Sequence, residues 1–457
     1  MRRLLLKSMI VLSAWSGSLG LDQTLPARAD QSQFMWGFAS SSYQHEDPDV
    51  ATQDPMHFQT DWDLFYTSRG QAAPRRNAIY GWSNFAKEVQ ALKQVGATHY
   101  RFSVEWARIE PKPGVYNQAA LGEYVRRAHQ LVANGITPVV GIWHFTFPDW
   151  ASDLKHPERH GWLNPTLKKR WAPFVSRLVQ AMGPSVKLYA PQNEVNNVAR
   201  GGYLFGIFPP GRRLDIRLFH ASMDSAAELF KLSARLIRKA NPAAKVISVQ
   251  NIFAWDEPLP LALGAYIHDF NFRFLDRVAP SLDYLGFNYY TKEPAGPIAG
   301  LQMLLRAGKQ SYTDLGWPIK PKGLYQVAKE LYWRYRLPLI VTENGIADAS
   351  DCKRPGFVID HLRNLKRLEA EGIPVLGYFY WSLADNYEWG LGFSARFGIF
   401  SFDPVSRNLL PKPSERFFRQ TIRRGWDAIT PDMQLPTASC PAGEQQAAQP
   451  ELPELGS

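Results

Sequence analysis

The chain has 457 residues and only two cysteines, Cys352 and Cys440. That number rules out a disulfide-built scaffold and leaves two arrangements open: one bridge tying the C-terminal segment back to the body of the chain, or two free thiols. Neither the cysteines nor the ten histidines show ligand spacing, so no metal and no organic cofactor is implied. Past the N-terminal segment there is no run of about 18 uninterrupted apolar residues, so no transmembrane helix is expected. Internal repeats and linkers are also missing. Charge of one sign is not in short supply, since the formal net charge is +10. The basic residues are spread over many helical stretches and are not clustered with aromatics, which argues against a nucleic-acid partner and leaves weak adhesion to anionic surfaces open. Residues 428–457 contain no Lys or Arg and four acidic residues among Pro, Gln and Ala, a composition that suits a disordered or loosely docked tail.

At the other end, residues 1–29 read as an export signal. Arg2, Arg3 and Lys7 precede an apolar stretch over 9–21, and Ala27-Arg28-Ala29 offers a cleavage site before Asp30. The paired arginines also suit a twin-arginine signal, with an ordinary secretory signal as the plainer alternative. An exported protein, periplasmic or secreted, is expected. Its body would then be residues 30–427, still basic at a formal +7 once four basic residues and Asp22 are removed.

Within that body, short apolar runs alternate with stretches of helical periodicity. Strands are expected at 35–39, 99–104, 138–144, 187–191, 245–250, 284–288, 339–342 and 375–381. Helices are expected at 82–95, 121–134, 167–182, 222–239, 324–335 and 358–371, several closed by Gly96, Gly135, Gly183 or Gly372 at the C-cap. Eight such units imply parallel strands with right-handed crossovers closing into a single (β/α)8 TIM barrel of the α/β class.

Two glutamates end apolar runs: Glu194 in Lys187-Leu-Tyr-Ala-Pro-Gln-Asn-Glu194, and Glu343 in Leu339-Ile-Val-Thr-Glu343-Asn-Gly345. Barrel enzymes place their chemistry at strand C-terminal ends, and a pair of carboxylates there is the minimum for cleaving a glycosidic bond. Taken alone, either glutamate is as readily a solvated or paired loop residue. The 15 Trp and 19 Tyr fit a pocket that stacks rings on sugar faces, or simply a large core.

Further motifs, in order along the chain, are Phe34-Met-Trp-Gly-Phe-Ala-Ser-Ser-Ser-Tyr-Gln44, Tyr100-Arg-Phe-Ser-Val-Glu-Trp-Ala-Arg-Ile-Glu-Pro111, Gly135-Ile-Thr-Pro-Val, His144, Asn193-Glu194, Gly286-Phe-Asn-Tyr-Tyr290 and Val341-Thr-Glu-Asn-Gly345. The last and most specific is Gly377-Tyr-Phe-Tyr-Trp-Ser-Leu-Ala-Asp-Asn-Tyr-Glu-Trp389. Over Phe34–Arg424 the chain resembles glycoside hydrolase family 1, the retaining β-glucosidases and β-galactosidases. The resemblance implies Glu343 as nucleophile and Glu194 as acid/base, with Arg101 and Tyr290 serving Glu343 and Asn193 binding the sugar 2-hydroxyl. It further implies Gln44, His144, Asn288, Trp381, Glu388 and Trp389 as substrate binders, and burial with a neighbouring negative charge raising the pKa of Glu194. Plainer roles stay open for single residues: a structural ion pair for Arg101, core packing for Trp381, an interior histidine for His144. A carboxylate at Glu388 would repel a 6-phosphate.

The chain departs from the family pattern at Val195, where proline usually follows the acid, and at Phe145, where Trp commonly follows the histidine. Loops are trimmed, and 292–322 is expected to form a pocket rim, with 298–307 either meeting a hydrophobic aglycone or packing on the barrel. The substrate is expected to be a carbohydrate or glycoside. A transglycosylase using the same intermediate and a non-catalytic sugar binder are the alternatives, and the oligomeric state is left open.

Overall fold

The structure is a computed structural model that describes residues 34–47, 57–71, 79–255, 261–292, 305–307, 309 and 311–433. The expected export segment, Cys440, most of the tail and rim residues 293–304 lie outside the described residues.

Nine parallel strand segments form the main sheet: β1 (Met35–Ala39), β2 (His99–Ser103), β3 (Thr137–Gly141), β4 (Leu188–Ala190), β5 (Lys245–Val246), β6 (Gln250–Asn251), β7 (Leu285–Asn288), β8 (Leu339–Asn344) and β9 (Val375–Tyr380). Their order is β5-β4-β3-β2-β1-β9-β8-β7-β6. The two ends of that order, β5 and β6, are consecutive pieces of one extended stretch. Between them Ile247 bridges to Tyr284 beside β7, and Val249 bridges to Asn193 beyond β4. The sheet therefore closes on itself, and the eight expected strands are present with the fifth in two pieces. The chain adopts the (β/α)8 barrel.

The reason for short apolar runs instead of alternation is that both faces of each strand are covered. Val139, Leu188, Ala190, Ile247, Val249, Ile340 and Phe379 fill the barrel interior as one apolar cluster. The outer faces join the helices in a second, larger cluster. Phe379 occupies so much of the interior that its β1 neighbour must be glycine: a Cβ on Gly37 would stand 2.3 Å from the Phe379 ring.

All six expected helices form, at Phe85–Val95, Gln118–Ala133, Pro165–Met182, Ile216–Ala240, Pro321–Tyr335 and Arg354–Ala370. Five of them begin earlier than the apolar periodicity indicates, because their first turns are built from caps and prolines. The Asn117, Asn164 and Asp215 side chains accept backbone N–H groups, and Pro165, Pro321 and Pro355 sit in first turns where no N–H partner is needed. The sixth starts later, at Phe85, since the Trp82 and Ser83 N–H groups go to the Asp47 carboxylate and stay in a turn. Gly96, Gly135, Gly183 and Gly372 all have positive φ at helix ends, as C-cap glycines do. Helices Leu261–Val278 and Pro413–Arg424 were not foreseen. Ile429, assigned to the tail from composition, is buried, and Trp426 stacks on Phe34 with ring centroids 4.0 Å apart.

One buried cation fixes the loop that follows β8. Arg354 donates to the Asp351 carboxylate at 2.6 Å, to the Tyr380 hydroxyl at 2.7 Å, and to the carbonyls of Ile346, Asp348 and Phe397 at 2.8, 2.7 and 3.0 Å. A guanidinium with this many acceptors ties β9 and the 396–397 loop to the segment just past Glu343. Cys352, in the same segment, is disulfide-bonded.

Candidate active site

Glu343 lies near the end of β8 and is buried. The ladder between β7 and β8 shifts register at Phe287/Asn288, which sets Asn288 opposite Glu343. Irregularities of this kind re-aim side chains next to functional sites. Glu343 receives two donors: Arg101, reaching across from β2, contacts Oε1, and the Tyr290 hydroxyl donates to Oε2 at 2.6 Å. Arg101 thus pairs with the candidate nucleophile itself and not with some other barrel carboxylate. Its second amino group donates to Asn193 Oδ1 at 3.1 Å, and the Asn193 amide meets His144 Nε2 at 3.4 Å.

Glu194 is held in a different way. Its backbone is in the left-handed region, φ 46° and ψ 49°, as the N-cap of the short helix Val195–Ala199. A non-glycine residue in that conformation persists only when its surroundings hold it there. Here the Glu194 N–H donates to the Val249 carbonyl at 2.7 Å. Two amides then hold the carboxyl, Asn288 Nδ2 on Oε1 at 2.7 Å and Asn197 Nδ2 on Oε2 at 2.9 Å. Among the described residues no guanidinium or ammonium hydrogen-bonds it. Burial first, and the Glu343 charge second, push the Glu194 carboxyl up to about 7, against the two amides and Arg101.

The remaining expected residues line the same end of the barrel. Gln44 is wholly engaged: Ser41 Oγ donates to its carbonyl at 2.7 Å, and its amide donates to the Tyr387 carbonyl at 2.8 Å and to Glu388 Oε2 at 3.1 Å. Burial, then the charges of Glu343 and Glu194, push Glu388 up to about 8. Burial thus works against the charge on which repulsion of a 6-phosphate by Glu388 would rest. Burial, together with the charge of Arg101, drives His144 well below the ordinary histidine range, so its ring is neutral. Its Nδ1, buried without a hydrogen-bond partner among the described residues, is free to meet a sugar hydroxyl. The rings of Trp381 and Trp389 both lie near parallel to the His144 ring, with centroids 6.0 and 6.3 Å away.

Asn288, expected to bind substrate, holds the Glu194 carboxyl. Thr342 Oγ1 donates to its Oδ1 at 2.7 Å, which fixes the amide toward Glu194. Two residues were missed in the sequence. Asn197 could have been found from its i+3 spacing after an N-cap glutamate. Phe145, a departure from the family pattern, is buried, stacks on Trp389 at 4.7 Å and has φ 69°.

The folded chain holds the Glu194 proton more tightly than an unfolded chain with its ordinary value of 4.5. Stability associated with this group is therefore present at low pH and lost as pH rises from about 4.5 to about 7. Glu194→Gln removes the charge that the site resists, and should raise the melting temperature relative to wild type more at pH 8 than at pH 5. An equal difference at the two pH values would contradict the assignment of the raised carboxyl to Glu194.

The matches to known proteins follow this geometry. The family model for glycosyl hydrolase family 1 matches residues 28–264 and 265–425. A β-galactosidase of Sulfolobus acidocaldarius is 27% identical over 85% of this chain and 94% of the relative, and β-glucosidase A of Thermotoga maritima is 27% identical over 85% and 97%. The chloroplastic galactolipid galactosyltransferase SFR2 of Arabidopsis thaliana is 27% identical over 85% of this chain and 64% of its own length. Among solved structures, Fpglu1 from a Fervidobacterium aligns with a TM-score of 0.77 at 27% identity, covering 86% of this chain and 95% of that one. The Thermotoga maritima β-glucosidase in complex with deoxynojirimycin aligns with a TM-score of 0.73 at 25% identity, covering 85% and 97%. With its barrel, its two strand-end glutamates and a family match spanning nearly all of the folded body, the chain belongs to glycosyl hydrolase family 1.

Proposed function

We propose that this protein is a retaining β-glycosidase acting on terminal non-reducing β-D-glycosyl residues, with Glu343 as nucleophile and Glu194 as acid/base. The observation that carries the assignment is the unlike setting of two buried carboxyls: Glu343 faces a guanidinium and a phenol, while Glu194 faces two neutral amides and is pushed up to about 7.

The chemistry then runs in two displacements. In the first, Glu343 attacks the anomeric carbon, the bond to the aglycone oxygen breaks, and the Glu194 proton passes to that oxygen. In the second, the Glu194 carboxylate takes a proton from water, the water oxygen attacks the anomeric carbon, and Glu343 leaves with its electron pair. Glu194 ends protonated and both groups are restored. Asn193, held by Arg101 and His144, is set to meet the 2-hydroxyl. The SFR2 relative, named for galactosyl transfer, favours a second outcome in which an acceptor hydroxyl replaces water. Residues 1–29 serve as an export signal in this reading, supported by the basic start, the apolar stretch and the Ala27-Arg28-Ala29 site.

Removing each carboxyl should give opposite stereochemistry with azide. Glu343→Gly should lose hydrolysis by at least about a hundredfold and, with azide, release an α-glycosyl azide by direct attack. Glu194→Ala should still form the glycosyl-enzyme from an aryl glycoside with a good leaving group, and azide should then release the β-azide. Products of one configuration from both variants would reverse the assignment. For the export signal, N-terminal sequencing of protein recovered from the periplasm or medium should begin at Asp30, and retention of residues 1–29 would refute it.

A further inference from the structure

The loop beyond the short helix that follows Glu194 carries a surface that hydrolysis of a small glycoside does not use. Eleven large apolar side chains are exposed among the described residues, and four of them fall between residues 205 and 216: Phe205, Ile207, Leu214 and Ile216, at 45%, 57%, 86% and 62% exposure. The other seven are scattered along the chain. Clustered exposure of this kind marks an interaction surface, whereas single exposed apolar residues mean little.

The loop is built, not slack. Ile207 N–H donates to the Gly201 carbonyl at 3.0 Å, Leu214 N–H to the Leu204 carbonyl at 3.0 Å, and Asp215 N–H to the Tyr203 carbonyl at 2.9 Å. Phe208 turns inward against Trp62, with centroids 5.0 Å apart, and a Cβ on Gly201 would meet its ring at 2.3 Å. One aromatic is thus packed toward the sugar site while its neighbours are held out.

Arginines flank the apolar tips. Arg212 and Arg213 are exposed on the loop, Arg217 is exposed in the first turn of helix Ile216–Ala240, and exposed Arg69 donates to the Gly206 carbonyl at 3.0 Å. The acidic residue of the loop, Asp215, caps the Leu218 N–H at 2.9 Å and lies 3.6 Å from Arg212. The surface is therefore apolar at its tips and cationic at its margin. That pairing fits an anionic lipid interface, where apolar side chains enter the acyl boundary and arginines meet phosphates. No helix among the described residues is long and apolar enough to cross a membrane, so the contact would be peripheral.

We propose that the 200–217 loop docks the protein on an anionic lipid bilayer. The loop begins six residues after Glu194, at the end of the barrel that carries both glutamates, so docking would turn the pocket toward the bilayer. Resting on the glycosidase reading, this makes glycosides with a lipid aglycone the favoured substrate class.

Flotation of the full chain with vesicles tests it, using phosphatidylglycerol mixed with phosphatidylcholine, or phosphatidylcholine alone. The wild type should float with the anionic vesicles and much less with the neutral ones. The combined variant Phe205→Ser, Ile207→Ser, Leu214→Ser should lose binding by about tenfold, while Val405→Ser, an equally exposed site in the turn after Phe400–Asp403, should not. All should hydrolyse a soluble aryl glycoside like the wild type, which shows that the variants fold. Binding that survives the triple substitution, or a wild type that ignores anionic vesicles, would overturn the proposal. So would a wild-type dimer by light scattering that the triple substitution converts to monomer, since a second copy would then cover the patch. Failure of the wild type to hydrolyse any aryl glycoside would strike the enzymatic reading alone and leave the binding result standing.

Discussion

The site depends on how one buried guanidinium is spent. Arg101 is 2% exposed and gives one amino group to Glu343 and the other to Asn193. Two carboxyls in one desolvated mouth cannot both ionise cheaply, and it is Glu343 that the cation is bonded to. Because it is bonded to Glu343, the neighbouring Glu194 meets a negative charge with no cationic hydrogen-bond donor of its own, and burial pushes it upward. The unlike settings of the two carboxyls follow from burial together with that allocation.

The backbone delivers the two groups by local irregularity. The register shift sets Asn288 on β7 opposite Glu343, while its amide, held by Thr342, donates to Glu194. Glu194 turns through a left-handed conformation that its hydrogen bond to Val249 sustains. Past Glu343, a Cβ at Gly345 would lie 2.0 Å from the Trp381 carbonyl, so only glycine lets β8 and β9 run this close. Arg354 then locks the following loop. Each of these features fixes a side chain's direction, which regular strand geometry alone would not.

Much of this was legible in the sequence, for identifiable reasons. Apolar runs ending in Glu194 and Glu343 announced themselves because both faces of each strand are buried, and Arg101 and Tyr290 came with motifs that end at the same barrel face. What could not be read was direction. Asn288 sits in the expected motif, but the hydrogen bonds that aim its amide at Glu194 are made by residues distant in sequence. Phe145 stands where Trp is common in the family, and its stack on Trp389 goes with a positive φ that the sequence does not announce. Helix starts were late in the reading because capping Asn and Asp residues and first-turn prolines carry no apolar periodicity. The exposed tips of the 200–217 loop are ordinary residues in sequence, and only folding reveals that they remain outside. Repulsion of a 6-phosphate needs a charge on Glu388, and burial beside other carboxyls pushes that group up to about 8.

The central claim is that Glu343 forms the covalent bond to the sugar. A 2-deoxy-2-fluoro-β-glycoside with a good aryl leaving group tests it, because fluorine at C2 disfavours the oxocarbenium-like transition state of both steps while the leaving group lets the first proceed, so the glycosyl-enzyme accumulates. Mass spectrometry of the treated full chain should show one added fluorosugar, and fragmentation should place it on Glu343. A label on Glu194, or steady turnover with no labelled protein, would contradict the account.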